Sequence, residues 1–192
     1  MNGAPFIHIF ADGNTRAIYP SRNYWTTTGA DLTKLAYETG YGGAEPPKET
    51  QFRNLGASGA KLIVYHGVND EAMSYLETAY SHEWISKKYP DSVNWLRTFT
   101  IPGMMHCRGG PGPTEVEDPL LDALINWVEK GQAPDTVVVN RITPTKGLER
   151  TFRLCAEPSR ALLKPGNVDP TRAENWECRA SAAQPAQATA SR

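Results

Sequence analysis

The sequence predicts an α/β fold in which a parallel sheet is flanked by helices, and three observations carry that prediction. Ala60 to Tyr65 is a short apolar strand of the kind buried in a parallel sheet. A second strand-like run, Trp95 to Ile101, lies between two stretches with apolar residues at helical spacing, so the order is strand, helix, strand, helix. Asp70 and His106 each follow one of these strands, at the carboxyl edge where such sheets place their chemistry.

Residues 1–50 are weakly organised. Asp12-Gly13-Asn14 marks a turn, Ala30 to Thr39 suits a short helix stopped by Gly40, and Tyr41 to Lys48 is a loop by its Gly and Pro content. Aromatics such as Phe6, Tyr24, Trp25 and Tyr41 suit a lid or extension over the main sheet. After the first strand, Glu71 to Lys88 places Met73, Leu76, Tyr80 and Trp84 on one helical stripe, with Lys87 and Lys88 where the helix dipole favours cations and Pro90 as the stop. Asp118-Pro119 reads as an N-cap and first helical residue. Leu120, Leu121, Leu124, Ile125 and Val128 then form the apolar face of a helix that Gly131 ends. Pro134 to Arg150 is a further short extended piece with turns, and the chain is loop-like after Leu163. The tail 181–192 is low in complexity and expected to be disordered. The organised part is therefore residues 51–180.

The chain has 192 residues, enough for one domain with a core, and 20 Lys plus Arg against 21 Asp plus Glu leave a net charge of −1. No basic excess invites a nucleic acid, and no apolar run approaches the roughly 18 residues needed to span a bilayer. The first residues, MNGAPFIHIFADGN, lack a basic segment before a long apolar one and are not expected to be a signal peptide. The three cysteines, Cys107, Cys155 and Cys178, are an odd number. A Cys155–Cys178 disulfide would hold a C-terminal region poor in core residues and leave Cys107 unpaired; three free thiols fit the same composition.

Asp70 before His106 is the second half of a Ser…Asp…His order. His106 stands in a loop rich in glycine, with Gly103, Gly109, Gly110 and Gly112, after the second strand and before the last helix; there it suits a general base for acyl transfer. Asp70 suits the carboxylate that orients and stabilises the imidazolium, and by itself would equally suit a helix cap. His66, directly after a strand, is expected to tie loop backbone together. His82 is expected to be solvated on its helix, and His8 has no context. His66, Asp70, His106 and Cys107 include possible metal ligands, but their spacing matches no zinc pattern. The nucleophile is missing. There is no Gly-x-Ser-x-Gly; Ser58 precedes a strand, whereas a nucleophile elbow follows one, and Ser74 and Ser81 belong to the helical stretch.

The stretches KLIVYHGVND (Lys61–Asp70), IPGMMHCRGGPGP (Ile101–Pro113) and LDALINWVEKGQAPD (Leu121–Asp135) resemble the tannase and feruloyl esterase family of α/β-hydrolases, in the family's order. The resemblance covers roughly residues 50–180. It implies the C-terminal part of an α/β-hydrolase fold preceded by the tail of a lid domain, and a serine carboxylic-ester hydrolase acting on esters of aromatic acids. It implies Asp70 as the triad acid and His106 as the base. It further implies a Cys155–Cys178 disulfide, and a bond from Cys107 to a cysteine beside the catalytic serine. That serine, in a Gly-x-Cys-Ser-x-Gly-Gly segment, is absent from this chain, and Val68-Asn69 and Met105 depart from the family's usual residues. The implied partner is thus an N-terminal portion of the same enzyme. The family's calcium site belongs to the lid, so no cofactor is expected here, and the family's location is secreted or periplasmic.

Overall fold

Two apolar runs rich in β-branched residues set the centre of the fold. In the computed structural model, which describes residues 49–166 and 168–180, helix α1 (Glu49–Ala57) leads into β1 (Leu62–Gly67), and β2 is Leu96–Ile101. The two strands pair in parallel, from Leu62 opposite Leu96 to Gly67 opposite Ile101. The core and site below belong to the unit that begins at Leu55. The expectations for residues 1–48 and for the tail 181–192 lie outside the described residues.

The crossover from β1 to β2 is α2 (Tyr75–Lys88) followed by a 3-10 turn, Pro90–Asn94. The helix begins later than the apolar stripe suggests. The Asp70 carboxylate accepts the amides of Ala72 and Met73 and holds 70–73 as a turn, and Ser74 caps the helix by accepting from the Leu76 amide. The stripe itself does not face the sheet: Met73 is 53% and Tyr80 64% exposed, as are Leu76 and Trp84 in good part. Instead the row Thr78, His82, Ile85 and Tyr89, on the other side of the helix, is turned inward, with Ile85 and Tyr89 buried.

Helix α3 (Glu117–Lys130) starts one residue before the expected Asp118 cap, with Val116 in the cap position and no side-chain cap bond. Pro119 is accommodated because the first amides of a helix have no intrahelical partner to lose. The helix buries Leu120 and Trp127 and leaves Leu121, Ile125 and Val128 exposed. Gly131 closes it in the left-handed conformation, φ 69°.

Strands continue well beyond the short piece expected after Pro134. β3 (Thr136–Thr143) and β4 (Gly147–Cys155) form an antiparallel hairpin, and Val137, Val139, Phe152 and Leu154 alternate into the core with Phe99, Ile101, Met104 and Leu120. β5 (Ser159–Leu163) pairs antiparallel with β6 (Trp176–Ala180), and β6 lies in the stretch after Leu163 that was expected to be loop. β6 is only five residues long and is tied to the end of β4 by the Cys155–Cys178 disulfide. Among the described residues β1 pairs only with β2. No described helix is long and apolar enough to cross a membrane.

Candidate active site

The carboxyl ends of the two parallel strands deliver two loops that are stitched together by their backbones. The amide of Val68 donates to Ile101 O (2.9 Å) and that of Asn69 to Met104 O (3.0 Å). Gly67 is required at this crossing, because a Cβ there would strike the Met104 carbonyl. The amide of His106 donates to Glu71 Oε2 (3.3 Å), which fixes the base's own backbone from the neighbouring loop. From the hairpin, one guanidinium nitrogen of Arg141 donates to Gly110 O (3.0 Å) and Gly112 O (2.7 Å), clamping the far end of the same loop. Gly103, Gly109 and Gly110 have positive φ, the loop shape their lack of a Cβ allows.

Within this frame Asp70 and His106 meet. The Asp70 side chain is 7% exposed and His106 is 38% exposed. His106 Nδ1 lies 3.0 Å from Asp70 Oδ2 and 3.1 Å from Oδ1. Oδ1 also accepts the amides of Ala72 (2.8 Å) and Met73 (2.9 Å). Burial pushes the Asp70 carboxyl upward, but the hydrogen bonds from the His106 ring and then from the Met73 and Ala72 amides outweigh it. With the His106 charge they hold Asp70 at about 2, well below its ordinary 3.8. Both neighbours of His106 Nδ1 are carboxylate oxygens, so Nδ1 carries a proton, and in the neutral form of the ring the lone pair is on Nε2. Such a ring can accept a proton at Nε2 while the carboxylate stabilises the resulting charge.

The family model described as "Tannase and feruloyl esterase" matches residues 42–179. The chain belongs to the tannase and feruloyl esterase family. It is 36% identical over 158 residues to the mono(2-hydroxyethyl) terephthalate hydrolase of Piscinibacter sakaiensis, a match spanning 81% of this chain and 25% of that protein. It is 34% identical over 139 residues to a probable feruloyl esterase B of Emericella nidulans, spanning 63% of this chain and 26% of that one. The crystal structure of feruloyl esterase B from Aspergillus oryzae superposes with a TM-score of 0.73 at 22% identity, covering 92% of this chain and 38% of that one, and shows the shared α/β-hydrolase fold. The chain therefore spans about a quarter to two-fifths of the length of these proteins.

Of the residues the family resemblance singles out, Asp70 and His106 are in contact, and Cys155 and Cys178 form a disulfide. Cys107 is an exposed free thiol with φ 63°, the one non-glycine among the described residues with positive φ. Ser58 Oγ donates back to Leu55 O (2.8 Å) at the end of α1, Ser74 caps α2, and Ser81 lies exposed on α2. His82 is not solvated as expected: its Nδ1 lies 3.0 Å from Thr98 Oγ1 on β2, because its row of α2 is the one laid on the sheet, and burial pushes its pKa down. His8 lies outside the described residues. Among the described residues no three His, Cys, Asp or Glu side chains gather as metal ligands. Glu71 and Arg141 were not legible as loop anchors, since each acts on backbone more than 25 positions away in the chain.

Proposed function

We propose that this chain supplies the acid and base of a serine hydrolase that cleaves esters of aromatic acids through an acyl-serine intermediate. The observation that carries the reading is the buried Asp70 carboxylate on His106 Nδ1, which leaves Nε2 free to act. In the reaction, Nε2 takes the proton of a serine hydroxyl as its oxygen attacks the ester carbonyl. Asp70 stabilises the imidazolium, and His106 then gives the proton to the departing alcohol. Water repeats the exchange on the acyl-serine and releases the acid. The names of the relatives, a feruloyl esterase and a mono(2-hydroxyethyl) terephthalate hydrolase, support aromatic acids as the acyl group.

The serine is supplied by a segment outside these 192 residues, since the chain contains no Gly-x-Ser-x-Gly. Cys107, exposed beside His106, bonds to a cysteine of that same segment and so joins the two halves of the site. The Cys155–Cys178 disulfide supports an oxidising location, secreted or periplasmic. The test is hydrolysis of methyl ferulate, methyl gallate and mono(2-hydroxyethyl) terephthalate by this chain joined to a nucleophile-bearing segment of the family. His106→Ala should lower kcat by at least about a thousandfold. Unchanged turnover in that variant rules the assignment out.

The missing nucleophile favours a second reading, a non-catalytic interaction module that keeps the C-terminal half of the fold. A serine-reactive fluorophosphonate separates the two: labelling of the serine in the joined protein that is lost with His106→Ala supports the hydrolase, and no labelling there supports the module.

A further inference from the structure

We infer that His66 is a positioning residue for the candidate acid, holding the 70–73 turn from which Asp70 reaches His106. The inference rests on the acid–base reading of Asp70 and His106. The His66 ring leaves the end of β1 with its side chain 14% exposed, and both of its nitrogens are engaged. Nε2 has two acceptors in reach, Met73 O at 3.3 Å and Asp70 Oδ2 at 3.2 Å, so Nε2 carries a hydrogen. Nδ1 lies 2.7 Å from Thr78 Oγ1, and with the hydrogen on Nε2 it accepts the threonine hydroxyl there.

The consequence follows from what Met73 does. Its amide donates to Asp70 Oδ1 (2.9 Å), and its carbonyl is held by His66. Met73 is therefore gripped from both sides, by the acid through its N–H and by the imidazole through its C=O. Thr78, on the first turn of α2, fixes the ring's rotation and thereby its tautomer. One side chain thus joins the strand end, the acid's turn and the following helix. The turn cannot open and release Asp70 from the Ala72 and Met73 amides without breaking the His66 contacts. Among the described residues no hydrogen bond links His66 to His106; both rings meet Asp70 Oδ2, so the effect of His66 runs through Asp70.

The test is heteronuclear NMR of the full 192-residue chain, reading the Asp70 carboxyl titration, the proton on His106 Nδ1 and amide exchange at Ala72 and Met73. His66→Leu keeps the bulk and removes both nitrogens. It should raise the Asp70 midpoint by about one pH unit and speed amide exchange at Ala72 and Met73 at least about tenfold. His66→Gln keeps an N–H near the position of Nε2 and should retain the slow exchange; loss equal to that of the leucine variant overturns the donor role. Thr78→Val removes the hydroxyl bonded to His66 Nδ1, and should speed exchange at Met73 by a smaller factor. If the leucine variant does not fold, the valine variant decides, and unchanged exchange there overturns the inference. None of these readings needs turnover, so they stand apart from the esterase assay. A chain inactive as an esterase in which His66→Leu still moves Asp70 refutes the function and keeps the positioning role.

Discussion

Asp70→Asn exchanges an acceptor for a donor at one atom and removes one charge. The asparagine oxygen still accepts the amides of Ala72 and Met73, but its NH2 then faces the proton on His106 Nδ1. Two donors cannot share that contact, so His106 either moves its proton to Nε2 or swings away, and the base is lost in both cases. The effect on stability follows from the carboxyl's position at about 2 against an ordinary 3.8. At about 1.4 kcal/mol per pH unit, that difference contributes roughly 2 kcal/mol. The contribution belongs to a carboxyl whose folded pKa is depressed, so it is fully present above the unfolded value and is lost as pH falls through about 2. The assay is urea unfolding followed by tryptophan fluorescence, for the parent and the variant, from neutral pH down to about pH 2. The variant should be about 2 kcal/mol less stable at neutral pH, with the gap closing as the solution is acidified. Other carboxylates titrate over the same range, but they do so in both proteins and cancel in the difference. A gap that is absent at neutral pH, or that stays constant into acid, refutes the account of Asp70.

The other expectations concern the frame around this pair. Gly67→Ala drives a Cβ into the Met104 carbonyl, so it should cost about 1–3 kcal/mol in thermal unfolding and weaken the Asp70–His106 contact seen by NMR. Arg141→Met removes the donor to Gly110 O and Gly112 O; a loss of about 1–3 kcal/mol is expected, with faster amide exchange at Gly112. Replacing Cys155 and Cys178 together by alanine opens a closure of 23 residues and should lower stability by about 3 kcal/mol. Chemical denaturation with and without reductant checks it: reductant should shift the parent's midpoint and leave the variant's unchanged.

The legible parts of this chain were those that local chemistry dictates. The apolar runs located β1 and β2; β2 starts one residue later than expected, whereas β1 runs over 62–67 rather than 60–65, so His66 and Gly67, expected in the turn, pair within the strand. The glycines around His106 showed that its loop takes unusual backbone shapes, and three of the four do have positive φ. The boundaries of α2 were not legible, because periodicity cannot say that Asp70 will spend its carboxylate on the amides of 72 and 73. Nor could it decide which side of α2 faces the sheet. Met73, Leu76, Tyr80 and Trp84 are the more apolar row, yet His82 and Ile85 face inward, an outcome set by how the helix lies over β2. β6 was missed because WECRA is only five residues long, and its place is fixed by Cys178 and by its pairing with β5. The contacts of Glu71 and Arg141 with the His106 loop depend on tertiary proximity alone.

The hydrogen bonds from Val68 to Ile101 and from Asn69 to Met104 have a consequence for anyone who would transplant this pair. Asp70 and His106 are 36 positions apart in sequence but are mounted on a single rigid fixture. A graft of the His106 loop onto another scaffold carries nothing useful unless the 67–71 segment travels with it. A residue inserted between Pro102 and Met104 would likewise misalign the acid together with the base.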